Sequence, residues 1–137
     1  MNHTHLTIYT DGGSRGNPGP AATGIVIKDD DGTVIANYGE FLGIQTNNFA
    51  EYSAVISGLK KAKTLGATRV DCIVDSKLVA EQLNRKWKVR HPAIQKLFLE
   101  AWNAMQKFEK VNISHILREG NKEADREVNN ILDQHAF

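Results

Sequence analysis

The chain has one cysteine, three prolines and two methionines, and its charges almost cancel. A single thiol, Cys72, excludes an internal disulfide and any cysteine-rich zinc arrangement. It sits in the run Val70-Asp71-Cys72-Ile73-Val74, where a small core side chain is expected, and a reducing, cytoplasmic compartment fits. No apolar run approaches the ~20 residues that cross a membrane. Met1-Asn2-His3-Thr4-His5 has no basic region followed by an apolar one, so no secretory signal is expected. Seventeen Lys and Arg against sixteen Asp and Glu give a net charge of +1. Global charge therefore offers no general attraction for a polyanion, and a nucleic-acid partner would need a local patch. Gly-x-Ser-x-Gly, His-Glu-x-x-His and Walker-type signatures are all missing, as are internal repeats, low-complexity stretches and linkers.

What remains is an ordinary globular composition, 41% hydrophobic and 24% charged, over 137 residues. That length suits one domain, residues 1–137, with a core that needs no staple. Residues 6–11 alternate apolar and polar and predict a strand. Residues 12–20 (GGSRGNPGP) are so rich in glycine and proline that a shaped loop is expected. Strands are predicted at 21–28 and 33–41, joined by Asp29-Asp30-Asp31-Gly32. That step reads as a solvated hairpin tip rather than a calcium loop, because no further ligands follow at the required spacing. The period turns helical at 48–65, where Tyr52, Val55, Ile56, Leu59 and Ala62 share a face and Gly66 is a stop signal. A strand at 69–74 leads to a short helix with Ser76 as N-cap. A basic connection, 85–92, precedes a long amphipathic helix. A fifth strand at 111–117 is followed by Arg118-Glu119-Gly120-Asn121 and a terminal helix. The order β-β-β-α-β-α-α-β-α predicts an α/β fold: a five-stranded mixed sheet with helices on both faces.

Two aspartates close their strands, Asp11 the first and Asp75 the fourth. If helix 48–65 is a right-handed crossover, those strands lie parallel and their carboxyl ends meet on one sheet edge. Neighbouring carboxylates repel, and a cation removes the penalty. Glu51, in the first turn of the crossover helix, can face the same edge. Asn48-x-x-Glu51 equally fits a capping box, and the residues alone leave both readings open. Asp125, one turn into the last helix, also has a plain explanation as an acid near a helix N-terminus. Together the four suit Mg²⁺, which prefers oxygen ligands. Two such ions roughly 3.5–4 Å apart can clamp the attacking and leaving oxygens of a phosphodiester.

The segments Tyr9-Thr10-Asp11-Gly12-Gly13-Ser14-Arg15-Gly16-Asn17-Pro18-Gly19, Thr46-Asn47-Asn48-Phe49-Ala50-Glu51, Asp75-Ser76 and Asn121-Lys122-Glu123-Ala124-Asp125-Arg126 resemble type 1 ribonuclease H. They occur in the family's order and span nearly the whole chain. The resemblance implies a ribonuclease H-like fold and endonucleolytic cleavage of RNA paired with DNA, with two Mg²⁺ or Mn²⁺ ions. It puts Asp11, Glu51, Asp75 and Asp125 on the metal-binding acids, with Asp11 bridging the ions. It puts Gly12, Asn17, Asn47 and Asn48 on minor-groove and 2′-hydroxyl contacts, and Thr46 on a DNA phosphate. Amide side chains suit such contacts because they donate and accept hydrogen bonds.

Two departures narrow the expectation. Where many members carry a longer basic, tryptophan-containing insertion, only Arg85-Lys86-Trp87-Lys88-Val89-Arg90-His91 stands here. Trp87 and Lys88 still pair an aromatic with cations, as a strand-binding surface would. The loop before the last helix holds no histidine, and Arg118 is the nearest candidate for a phosphate contact. This resembles compact archaeal-type and related bacterial members, for which double-stranded RNA cleavage is a possible extra activity. A monomer without an obligate protein partner is expected. Two alternatives stay on the table: a non-catalytic binding module on the same fold, and another enzyme of the superfamily.

Overall fold

The computed structural model describes residues 4–136. Met1–His3, read above for a leader, and Phe137 lie outside the described residues. The elements run β1 (His5–Ser14), β2 (Gly19–Lys28), β3 (Val34–Gln45), α1 (Asn47–Thr64), β4 (Arg69–Val74), α2 (Lys77–Leu83), α3 (Pro92–Met105), β5 (Lys110–His115), a 3₁₀ turn (Arg118–Gly120) and α4 (Lys122–Gln134). The five strands form one sheet in the order β3-β2-β1-β4-β5. β1 is antiparallel to β2 and parallel to β4, and β5 is parallel to β4. The mixed sheet expected from the hairpins and the crossover helix is what forms.

Helices cover both faces. On one, Leu6 and Ile8 of β1 and Ile25 and Ile27 of β2 pack with Tyr52, Val55 and Leu59 of α1 and with side chains of α2 and α3. On the other, Val128 and Leu132 of α4 pack on Ala22, with Ile131 alongside. Small residues let α4 sit close. A Cβ at Gly24 would lie 2.1 Å from the Ala124 carbonyl oxygen.

Of the 12–20 stretch, only residues 15–18 form the loop its composition suggested. β1 continues through Ser14 and β2 begins at Gly19, with Gly12 opposite Thr23 and Gly13 opposite Ala22. The physical reason is close approach rather than chain breaking. A Cβ at Gly12 would sit 2.2 Å from the Ala50 carbonyl carbon, so only glycine lets the start of α1 rest against β1. β3 likewise runs on to Gln45 instead of ending at Phe41.

The capping-box reading of Asn48 and Glu51 also fails. Thr46 is the N-cap of α1, its hydroxyl oxygen accepting from the Phe49 amide at 3.2 Å. Asn48 is therefore already helical, and Glu51 lies too far along to return to the cap. Ser76 does cap α2, accepting from the Val79 amide. Asp29 Oδ1 accepts from the Asp31 and Thr33 amides, which makes the hairpin tip an ordinary side-chain-supported turn.

Gly24→Ala should destabilise the fold by about 1–3 kcal/mol, the usual cost of forcing extra volume into a packed contact. Urea denaturation checks this. Wild-type stability in that variant would contradict the seating of α4 described here.

Candidate active site

The parallel register of β1 and β4 pairs Thr10 with Val74. Asp75, the residue just past β4, therefore lies beside Asp11, which stays in β1 opposite Gly24 of β2 rather than closing the strand as expected. Glu51 joins them because the glycine contact brings α1 against β1. Each of the three offers an oxygen, and these oxygens lie within 4.8 Å of one another. Asp11 is 2% exposed and Glu51 9% exposed, so water screens their repulsion poorly.

The consequence is visible in their acidity. Burial, then the charges of Asp75 and Asp125, push Asp11 from its ordinary 3.8 up to about 8, with Arg118 opposing. Burial, then Asp11 and Asp75, hold Glu51 well above its ordinary range, against a hydrogen bond from the Gly12 amide. Glu51 Oε2 is buried without any hydrogen-bond partner. An unpaired buried carboxylate oxygen, beside two further carboxylates, is what a hard divalent cation satisfies. The donor set is all oxygen, so Mg²⁺ or Mn²⁺ fits it.

Asp125 stands beside this trio, not within it. It projects from the first turns of α4, with its side chain 35% exposed. It is close enough to Asp11 to raise that carboxyl, while its Oδ2 accepts from Asn129 Nδ2 at 3.3 Å. The Arg118 guanidinium lies 3.9 Å away and is 78% exposed at the rim of the concavity.

Asn121, which opens the segment Asn121-Lys122-Glu123-Ala124-Asp125, belongs to the site as well. Its side chain is 1% exposed, and its Nδ2 donates to the Thr10 carbonyl at 2.8 Å and to Asp75 Oδ2 at 3.2 Å. One neutral amide thus ties β1, the Asp75 carboxylate and the start of α4 together. A neutral donor orients a carboxylate without neutralising it. The only sequence signal was its place just ahead of Asp125, which ordinary helix capping would explain equally well.

The amides expected to touch substrate form a network. Asn47 Oδ1 accepts from the Ser14 amide at 2.8 Å, and Asn17 Oδ1 accepts from the Asn47 amide at 3.1 Å. Both carbonyls are thereby committed, leaving the Nδ2 groups as donors. Asn47, Asn48 and Gly12 line the same concavity as the acids, and Thr46 caps the helix just behind them. Trp87 and Lys88 are not part of it. They line a separate concavity with Gln82, Arg85, Val89 and Phe98, and Trp87 is 46% exposed.

Two predictions follow from this geometry. Between pH 3.8 and about 8 the folded protein holds an Asp11 proton that the unfolded chain has released. Metal-free stability should therefore fall as pH rises through that window, and Mg²⁺ should raise the melting temperature more at its alkaline end. Differential scanning calorimetry checks both, and a flat, metal-insensitive profile would contradict the buried cluster. Asn121→Ala should weaken Mg²⁺ binding by roughly 10–100-fold, the usual effect of losing a group that orients a ligand. Isothermal titration of the metal checks this.

Known proteins resemble this chain over most of its length. The Reverse transcriptase-like family matches residues 9–130. The Mycobacterium tuberculosis "Bifunctional protein Rv2228c" is 44% identical over 129 residues, 93% of this chain. This chain spans 35% of that protein's length, and 63% of Halobacterium salinarum "Ribonuclease HI", to which it is 39% identical. The solved N-terminal RNase H domain of rv2228c superposes with a TM-score of 0.90, covering 93% of this chain and 98% of that one. RNase H1 of H. salinarum gives 0.93 at 38% identity, covering 95% and 98%. LC11-RNase H1, solved in complex with an RNA/DNA hybrid, gives 0.91 at 35% identity with the same coverage. With the family match running from the first strand into the last helix, and whole ribonuclease H domains superposing this closely, the chain belongs to the type 1 ribonuclease H family.

Proposed function

We propose that this chain is an endonuclease that hydrolyses the RNA strand of RNA/DNA hybrids with little sequence preference. The observation that carries the reading is the trio Asp11, Glu51 and Asp75, with oxygens within 4.8 Å and one buried oxygen unpaired, beside a row of amide donors. The LC11 relative, bound to such a hybrid, supports the substrate class.

Asp11, Glu51 and Asp75, with Asp125 alongside, would hold two divalent cations, Mg²⁺ or Mn²⁺. Such ions activate a water and stabilise the leaving oxygen of a phosphodiester. The remaining work belongs to the protein. Asn121 keeps Asp75 aimed inward. The Nδ2 groups of Asn17, Asn47 and Asn48 present donors toward the minor groove. There purine N3 and pyrimidine O2 offer an acceptor at every base pair, so contact there carries little sequence information. Gly12, whose missing side chain admits the Ala50 backbone, offers its own backbone to the sugar at the wall of the same concavity. Thr46 has a hydroxyl proton for a phosphate while its oxygen caps α1. Arg118, exposed at the rim, meets the RNA phosphates, and Trp87 and Lys88 form a second, outlying grip on the other strand.

A binding module without catalysis fits the site poorly. Buried acids at the centre of a phosphate-binding surface weaken binding unless a cation is used there.

Labelled RNA/DNA hybrid, RNA duplex and DNA duplex, each incubated with Mg²⁺ or Mn²⁺, test the reading. Cleavage of the hybrid's RNA strand is expected, with Asp75→Asn reducing it to background. Intact hybrid under all metal conditions would sink the enzyme reading, and equal cutting of DNA duplex would sink the substrate assignment. The RNA duplex tests the extra activity implied by the histidine-free loop. Asn47→Asp keeps the acceptor for the Ser14 amide and loses the donor, so KM for hybrid should rise about tenfold.

A further inference from the structure

The basic connection between α2 and α3 has almost no regular structure to hold it. No strand pairs with residues 86–90, and Arg85 adopts a left-handed φ of 65°. Two helix side chains do what a strand partner would do. Gln82 of α2 donates its Nε2 to the Lys88 carbonyl at 3.3 Å, and Gln95 of α3 donates to the Val89 carbonyl at 2.9 Å. The Glu81 carbonyl supports the other end, accepting from the Lys86 and Trp87 amides.

Gln82 differs from Gln95 in being buried, at 6% exposure, and in being oriented from behind. The Tyr52 hydroxyl, on a side chain with no exposure at all, donates to Gln82 Oε1 at 2.6 Å. The Lys88 carbonyl only accepts, so Nε2 faces Lys88, and Oε1 takes the phenol proton from behind, which pins the amide at both ends. Tyr52 is the neighbour of Glu51 on α1, so a chain of two hydrogen bonds, the first of them buried, runs from the helix that carries a metal-site acid to the backbone of the basic segment. Nothing in the acid site itself requires that chain. Leucine or methionine would fill the same space without the desolvation cost that a buried amide carries.

We propose that Gln82, oriented by Tyr52, is a positioning residue for substrate binding. It holds the Lys88 carbonyl, and so sets where Trp87 and Lys88 stand relative to the acids in α1 and β1. The proposal rests on the reading above that this segment grips the duplex. It predicts that the segment's placement, and not the chemistry at the metal site, depends on one buried amide.

The segment contains Arg85, Lys86, Lys88 and Arg90, so limited trypsin digestion with mass-spectrometric mapping reports its order without any substrate. Gln82→Met conserves volume and removes the amide. Tyr52→Phe keeps the ring in the core and frees the amide to turn, so it decides the matter if the first variant fails to fold. In both, first cuts within 85–90 should accelerate by about three- to tenfold, the loss of one or two net hydrogen bonds at that segment. KM for hybrid should rise by a similar factor, while kcat and the Mg²⁺ concentration for half-activation stay within about twofold, a split that general destabilisation does not produce. Unchanged digestion of this segment in natively melting variants would overturn the proposal. So would acceleration spread evenly along the chain, or a fall in kcat at constant KM. Wild-type KM in Trp87→Ala and Lys88→Ala would instead sink the reading of the segment as a substrate contact, with the digestion result still deciding what Gln82 holds.

Discussion

Like charges repel more strongly as water is withdrawn, and Asp11 and Glu51, both buried, are brought within 4.8 Å of each other and of the half-buried Asp75. Left alone, such a cluster keeps protons, as the elevated Asp11 and Glu51 carboxyls do. With a divalent cation the same arrangement becomes favourable. The fold holds together something that its own electrostatics oppose, and most of the architecture can be read as the means of doing so. Parallel pairing of β1 and β4 aligns two acids. The missing Cβ of Gly12 admits α1 and with it Glu51. The tight seat of α4 over Gly24 brings Asp125 alongside, and Asn121 fastens that helix to both β1 and Asp75.

Around that centre the polar groups divide by charge and by depth. The groups that fix geometry are buried and neutral: the Asn121 amide at the acids and the Tyr52–Gln82 pair behind the basic segment. Neutral donors orient without competing for the cation. The cations around the acids are instead exposed, Arg118 at the rim and Lys88 further out. Exposed ion pairs elsewhere, such as Arg15–Asp133 and Lys28–Glu123, tie α4 to the sheet but contribute little stability each. With a net charge of +1 the positive charge is local rather than spread over a broadly basic surface.

The sequence alone determined the class of fold and the two acids whose positions follow from strand pairing. Apolar periodicity is a local property, so the strands, the crossover helix and the Ser76 cap were legible, and parallel pairing then made Asp11 and Asp75 neighbours. Glycine was not legible in the same way. The 12–20 stretch reads as a loop because glycine serves chain reversal and close packing alike, and only the Ala50 backbone lying against Gly12 shows which applies. The spacing of Asn48 and Glu51 matched a capping box just as well as a metal site, and the true cap, Thr46, lay two residues earlier. Asn121 and Gln82 left no pattern, because an amide acquires its role from partners distant in the chain: Thr10 and Asp75 for one, Tyr52 and Lys88 for the other. Periodicity and spacing encode which way a residue faces along its own element. Which groups from separate elements share a buried volume, and hence which charges repel and which amides are committed, is decided only when the tertiary structure removes the water between them.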